Sequence, residues 1–123
     1  MSGNKLLLDT NIILYLLGGD TTLVDILEGK QVYVSFITEL ELYSFKGLSS
    51  LEKTKIDVLL SSCSVIDITA GIKSKTVEIR QSYKLKLADS IIAGTALYLD
   101  VPLITADSDF KKIEELRLLH YEK

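Results

Sequence analysis

Cysteine, histidine and proline each occur once in this 123-residue chain, and tryptophan does not occur at all. The lone cysteine, Cys63, cannot form an intrachain disulfide, and we expect its side chain to act as a small buried hydrophobic group. One cysteine and one histidine, His120, are too few to build a zinc site from these ligands. The composition therefore favours a reducing compartment and argues against zinc chemistry.

Positive charge is also scarce, because 14 lysines and arginines stand against 17 acidic residues and leave a formal charge of −3. This balance argues against nucleic-acid binding through bulk positive charge, but it permits binding through a metal ion and a local basic strip. The apolar stretch at 6–17 is interrupted by Asp9 and Asn11 and is too short to span a bilayer. We therefore expect a single cytoplasmic domain over residues 1–123.

Short apolar runs alternate with helical patterns along the chain. We predict strands at 5–8, 32–37, 64–68, 101–105 and 116–121, and helices at 12–17, 22–27, 38–46, 51–60, 70–83, 88–99 and 109–113. Apolar strands joined by helices predict an α/β fold, a three-layer α/β/α sandwich with a mostly parallel central sheet. A helical stripe of Ile72, Thr76, Ile79 and Tyr83 is expected to face that sheet.

Acidic residues mark four of the predicted junctions. Asp9 and Asp107 follow strands, Asp89 lies at the start of a helix, and Glu41 lies in the helix after the second strand. Each aspartate has a simple alternative role as the N-cap of the helix that follows it, and Glu41 as a solvated helix residue. Capping does not explain why all four residues fall at the edge of the sheet where ligands bind.

Periodicity does not decide which glutamate of the helix at 38–46 faces that edge. If the apolar residues of this stretch form its buried face, Glu39 and Glu41 lie on opposite flanks, each about 100° from the centre. The residues that would form this face are Phe36, Ile37, Leu40 and Tyr43.

Carboxylates that share one site repel each other unless a cation neutralises them. Oxygen ligands are those that hard divalent cations prefer, and Mg²⁺ is commonly held by a few carboxylates while waters and substrate phosphate complete its shell. The acidic cluster therefore predicts a Mg²⁺ (or Mn²⁺) site that serves the cleavage of a phosphodiester.

Four motifs occur in order along the chain: Leu8-Asp9-Thr10-Asn11, Ser35-x-x-Thr38-x-x-Glu41-Leu42, Leu87-Ala88-Asp89-x-Ile91-Ile92-Ala93-x-x-Ala96 and Leu103-Ile104-Thr105-x-Asp107-x-Asp109-Phe110. Together they resemble the PIN domain family and, within it, the VapC type of toxin–antitoxin ribonuclease. The resemblance covers essentially the whole chain. It departs from the family pattern at Ala88, where members often carry proline.

The resemblance implies a divalent-metal-dependent endoribonuclease that hydrolyses structured RNA with a metal-activated water, as the toxin of a type II toxin–antitoxin pair. It further implies Mg²⁺ or Mn²⁺ as cofactor, a homodimer, and a cognate antitoxin protein as partner. Matched by position, the catalytic and metal-binding residues are Asp9, Glu41, Asp89 and Asp107. The residues at accessory positions are Asn11, Thr105 and Asp109.

A strip of basic residues lies close to the third acid. Lys73, Arg80 and Lys84 fall on one helix face, and Lys86 lies between that face and Asp89. We expect Arg80, Lys84 and Lys86 to guide the RNA backbone into the site. The alternative is an ordinary solvated helix face.

Two other classes of protein share some of these features. A non-catalytic binding module could keep the same fold as a platform, since fold does not fix function. A phosphoacceptor receiver domain has a similar size and acidity, and Asp67 would be its phosphorylated residue. The receiver hypothesis is the weaker of the two, because the strand that ends at Thr105 is not followed by the required lysine.

Overall fold

Five short strands alternate with six α-helices and one 3₁₀ turn over residues 3–123, the range that the computed structural model describes; the first two residues of the predicted domain lie outside it. In chain order the elements are β1 (Lys5–Leu8), α1 (Thr10–Leu17), α2 (Thr21–Leu27), β2 (Gln31–Ser35), α3 (Phe36–Tyr43), α4 (Ser50–Ser61), β3 (Ser64–Ile66), α5 (Ala70–Ser82), α6 (Leu87–Leu99), β4 (Leu103–Thr105), the 3₁₀ turn (Ser108–Lys112) and β5 (Leu118–His120).

The sheet has the strand order β3-β2-β1-β4-β5, and all four neighbouring pairs are parallel. Hydrophobic cores lie on both faces, so the predicted three-layer α/β/α sandwich is confirmed. The chain builds outward from β1 to β3 and then returns to the other side of β1 with β4. The topological switch point, where open α/β sheets form their ligand clefts, therefore lies between the carboxyl ends of β1 and β4.

The central strand β1 contributes to both cores. Leu7 packs with Ile92 of α6 and Leu103 of β4 on one face, while Leu8 packs with Ile12 of α1 on the other. Successive side chains of a strand point to opposite faces, so a strand covered on both sides must be apolar throughout. This explains the unbroken run of leucines at 6–8, which ends just before Asp9.

Six of the ten strand boundaries differ from the prediction by one or two residues, among them the end of β2 and the start of β4. β2 ends at Ser35, and α3 begins at Phe36 because the Ser35 hydroxyl caps the helix by accepting a hydrogen bond of 3.2 Å from the backbone nitrogen of Ile37. β4 begins at Leu103, one residue after Pro102. In the first case a capping serine ended the strand within an apolar run, which apolarity alone did not reveal.

The predicted stripe of α5 is buried, and its Ile79 joins the core cluster of the sheet residues Leu7 and Leu103. Ile72, Thr76 and Ile79 are buried and Tyr83 is half-buried, yet the main partner of α5 is α6. The α6 helix is buried continuously from Ser90 to Ala96, and it packs against both α5 and the sheet core. The apolar α6 thus connects α5 to the sheet core.

Within residues 3–123 no single helix is both long and apolar enough to cross a membrane. The pair formed by α1 and α2 would qualify together by length and composition, but its two helices are bent by 118°.

The close approach of α5 and α6 depends on Gly94, and a substitution there tests it. A methyl group at Gly94 would lie 2.6 Å from the Thr76 hydroxyl oxygen and 3.1 Å from the Thr76 backbone nitrogen. Because backbone atoms cannot move aside alone, we expect Gly94→Ala to lower the free energy of unfolding by about 2 kcal/mol, despite the higher helix propensity of alanine. Urea unfolding measures the change.

Gly71→Ala is the matched control on the facing helix. Its new methyl group would meet ring atoms of Tyr98, a side chain that is 50% exposed and can rotate away. The loss should therefore be smaller than for Gly94→Ala. An equal or larger loss at Gly71 would contradict the assignment of Gly94 as the point that fixes the distance between the helices.

Candidate active site

A cleft of about 570 Å³ opens at the carboxyl edge of the sheet, beside the switch point. All four acids singled out in the sequence line it, although they come from four separate segments: Asp9, Glu41, Asp89 and Asp107. Asn11 and Lys86 also line it. The parallel topology explains the meeting, because it brings the ends of β1 and β4, the start of α6 and the short helix α3 that follows β2 to one edge.

Asp9 is held between β1 and β4 by hydrogen bonds to both of its carboxylate oxygens. Its Oδ1 accepts a bond of 3.0 Å from the backbone nitrogen of Ile12, which makes Asp9 the N-cap of α1. Its Oδ2 accepts a bond from the Thr105 hydroxyl. The residue is only 3% exposed, and this burial raises its pKa, while the two hydrogen bonds oppose the rise. Capping and membership of the acidic cluster are therefore roles of the same side chain.

Thr105 connects the first acid to the fourth. Its hydroxyl is fully buried, donates to Asp9, and accepts a bond of 3.0 Å from the backbone nitrogen of Asp107. The carboxylate of Asp107 in turn accepts a bond of 2.9 Å from the backbone nitrogen of Asp109. Asp109 thus contributes its backbone to the site, and its own side chain is exposed and does not line the cleft.

Asp89 does not cap a helix. The N-cap of α6 is Lys86, which makes no side-chain capping bond, and Asp89 lies inside the first turn. Burial, followed by repulsion from Asp107, raises the pKa of Asp89 to about 6; Lys86 opposes the rise, and Asp9 and Glu41 add to it. The charges of the other three acids therefore all act on the carboxylate of Asp89. The explanation of Asp89 as a helix N-cap is wrong.

The structure distinguishes the two glutamates of α3. Glu41 lines the cleft and accepts a hydrogen bond of 2.6 Å from the Thr10 hydroxyl, whereas Glu39 does not line the cleft. The expected buried face of this helix is wrong, because Leu40 is 53% exposed and the fully buried side chains are Thr38 and Leu42. Glu41 lies one turn after Thr38 and so on the same side of the helix.

The donor set of the cleft suits a hard divalent cation, since its acidic ligands are carboxylates and neither Cys63 nor His120 is among its lining residues. Within residues 3–123, no three acidic, histidine or cysteine side chains are placed to hold one ion together as they stand. Binding would therefore need side-chain rotations within the cleft, with waters supplying further ligands. Glu41 lies at an exposed helix position, which leaves its long side chain room to rotate.

Of the three basic residues expected to guide RNA, only Lys86 lines the cleft. The Arg80 guanidinium donates a bond of 2.7 Å to the carbonyl of Leu85 and so supports the loop before α6. Lys84 is exposed, and its carbonyl accepts a bond of 2.9 Å from the side chain of Lys112. Both residues hold the segment that presents Lys86.

The receiver hypothesis does not fit this arrangement. Asp67, its candidate phosphoacceptor, follows the edge strand β3, lies outside the cleft lining, and accepts a bond of 2.8 Å from the nitrogen of Ile68. Receiver domains of the flavodoxin-like class have the strand order 2-1-3-4-5, whereas this sheet has the order β3-β2-β1-β4-β5.

The raised pKa of Asp89 makes the stability of the protein depend on pH. Between the ordinary value of 3.8 and about 6, the folded protein binds more protons at Asp89 than the unfolded chain does, so the free energy of unfolding falls as pH rises. Asp89→Asn removes this ionisation. In chelator at about pH 8 we expect the variant to be more stable than the native protein by about 1 kcal/mol, a value reduced for solvent screening because the side chain is partly exposed.

At about pH 4, where the native Asp89 is protonated in the folded state, the two proteins should have nearly the same stability. Urea unfolding at both pH values measures the difference, with Asp67→Asn as a control carboxylate outside the cleft. A gain of the same size at both pH values would show that the ionisation of Asp89 is not its cause.

Comparison with known proteins identifies the family. The chain matches the PIN domain over residues 6–116. A chain of a toxin–antitoxin complex from Klebsiella pneumoniae is 33% identical with a TM-score of 0.82, over 96% of this chain and 99% of that chain. No curated protein sequence matches significantly.

Two further structures are similar in fold. VapBC2 from Rickettsia felis, bound to a DNA fragment from its promoter, has 23% identity and a TM-score of 0.85, over 96% of this chain and 99% of that chain. VapBC-1 from nontypeable Haemophilus influenzae has 24% identity and a TM-score of 0.76, over 94% and 97%. The match over residues 6–116, most of the chain, shows that this protein belongs to the PIN domain family.

Proposed function

We propose that this protein is a divalent-metal-dependent endoribonuclease and the toxin of a type II toxin–antitoxin pair, acting in the cytoplasm. The observation that carries the proposal is the convergence of four carboxylates from four segments on one cleft at the switch point of the sheet. Membership of the PIN domain family supports the nuclease assignment. The similarity to chains of toxin–antitoxin complexes supports an antitoxin as the protein partner.

Within this proposal Asp9, Glu41, Asp89 and Asp107 hold Mg²⁺ or Mn²⁺. When bound, the ion would lower the pKa of a water and stabilise negative charge on the phosphate. The chain fixes Asp9 through Ile12 and Thr105, and Asp107 through the backbone of Asp109. Asn11 lies at the cleft beside Asp9, where its amide can bond the acids or water.

Hydrolysis by water leaves a 5′-phosphate and a 3′-hydroxyl on the cut RNA. This outcome distinguishes the proposed route from one in which the RNA 2′-hydroxyl attacks. The homodimer implied by the resemblance belongs to the same proposal, and sedimentation of the purified protein tests it.

The nuclease assignment is tested by incubating the purified protein with total RNA in Mg²⁺, Mn²⁺ or chelator. The native protein should cut RNA only with a metal. Asp9→Asn keeps a side chain that can cap α1 but removes the charge, and we expect the cleavage rate to fall by about 100-fold or more. Asp67→Asn is the matched control, because it removes a carboxylate outside the cleft, and this variant should cleave RNA like the native protein.

The second candidate function is a non-catalytic platform, and the lack of a preassembled group of three ligands within residues 3–123 favours it. A platform without a metal site would show no cleavage, and Mn²⁺ would not raise its unfolding temperature. A working site should be stabilised by Mn²⁺ through mass action. Cleavage that persists in chelator would contradict the metal requirement, and undiminished cleavage by Asp9→Asn would contradict the assigned site.

The role of Lys86 in RNA binding is tested in chelator, where cleavage does not interfere. Lys86→Ala should weaken RNA binding several-fold and reduce the slope of log affinity against log salt by about 1, because one phosphate contact is lost. Lys30→Ala is the matched control, since Lys30 is an exposed lysine just before β2, at the opposite edge of the sheet. Equal effects of the two substitutions would mean that Lys86 acts only through net charge.

A further inference from the structure

Two threonine hydroxyls lie between α1 and α3, next to the cleft. The Oγ1 of Thr10 is 2.6 Å from Oε1 of Glu41 and 3.0 Å from Oγ1 of Thr38. Thr10 is the first residue of α1 and directly follows Asp9, while Thr38 is fully buried in α3. Both threonines belong to the sequence motifs described above, but neither was assigned a role at the site.

The direction of this chain of hydrogen bonds follows from its chemistry. A hydroxyl has one proton to donate, and an ionised carboxylate can only accept. The proton of Thr10 is committed to Glu41, so in the pair of hydroxyls Thr38 must donate and Thr10 must accept. The chain therefore runs from the buried Thr38 through Thr10 to Glu41, and each bond polarises the next.

Glu41 needs such support more than Asp9 and Asp107 do. Asp9 is held at both oxygens and is buried, and Asp107 is held by a backbone nitrogen. Glu41 has a longer side chain at an exposed position of α3, and the hydrogen bond that the structure gives it comes from Thr10. Because Thr10 belongs to the helix that Asp9 caps, this bond ties the position of Glu41 to that of the first acid.

We propose that Thr10 is a positioning residue that holds the Glu41 carboxylate at the cleft for a divalent cation, and that Thr38 orients the Thr10 hydroxyl for this task. The inference rests on the proposed function in one respect, namely that Glu41 serves the metal site. It adds two residues from outside the acidic set, and it assigns each a defined hydrogen bond.

The test is a calorimetric titration of the RNA-free protein with Mn²⁺, which measures the affinity for the ion. Thr10→Val keeps the shape of the side chain but removes its hydroxyl, and we expect Mn²⁺ affinity to fall about 10-fold, as for other groups that orient a metal ligand. Thr10→Ser keeps the hydroxyl and should restore the affinity to within about twofold of the native value. Thr38→Val should have a smaller effect than Thr10→Val, because Thr10 can still donate to Glu41.

A double-mutant cycle separates positioning from a general structural effect. If Thr10 acts through Glu41, Thr10→Val should cause no further loss of Mn²⁺ affinity in a Glu41→Gln background. An equal loss in both backgrounds, or native affinity in Thr10→Val, would overturn the inference. Should the buried Thr38→Val variant fail to fold, the comparison of Thr10→Val with Thr10→Ser decides the matter alone.

Failure of the inference is distinguishable from failure of the proposed function. If Glu41→Gln weakens Mn²⁺ binding but Thr10→Val does not, the metal site stands and the positioning role is wrong. If Glu41→Gln leaves Mn²⁺ binding unchanged, Glu41 does not serve the metal, and both the inference and that part of the proposed site are overturned. RNA cleavage by the same variants shows whether the nuclease assignment survives in either case.

Discussion

The cleft places carboxylates where burial and their mutual repulsion both disfavour their negative charge, and this is the main electrostatic constraint on the structure. The effect is visible at Asp89, whose pKa is raised to about 6, first by burial and then by Asp107, with further contributions from Asp9 and Glu41. A parallel sheet produces this crowding, because it delivers the ends of β1 and β4 to one edge. Only Lys86 among the cleft residues opposes the repulsion with a positive charge. Carboxylates whose pKa is raised by burial and by neighbouring negative charges are characteristic of functional sites.

Local structural roles and the site are combined in the same side chains. Asp9 and Asp107 each cap the helix or turn that follows, and each also lines the cleft. The capping bonds fix the carboxylates where the strands end, so the backbone that needs a cap also orients an acid. Asp89 differs, because it makes no capping bond and lies in the first turn of α6, after the N-cap residue Lys86. Its place in the cleft therefore has no explanation in helix capping.

Apolar patterning was sufficient to predict the layers of this fold. A run such as Leu6–Leu8, whose side chains enter two cores in turn, indicates a central parallel strand. The segments between such runs were predicted to be helices. The same patterning failed on α3, where Leu40 is exposed and the polar Thr38 is fully buried. Thr38 is buried because its hydroxyl has a partner in Thr10, 28 residues away in sequence. Such a pairing exists only once the helices are packed, so the periodicity of one segment does not contain it.

The hydrogen bonds that hold the acids do not compete with a cation for them. A carboxylate has about four lone-pair sites on its two oxygens, and each protein donor occupies one. Asp9 accepts from Ile12 and Thr105, so roughly half of its accepting capacity is left. Glu41 accepts one bond, from Thr10. Donors that fix a carboxylate reduce the rotational entropy lost when it binds an ion, and they leave oxygen lone pairs free to do so. Hydrogen bonds from neighbouring hydroxyl and amide groups can therefore hold the carboxylates in the cleft and still allow them to rotate toward a common ion.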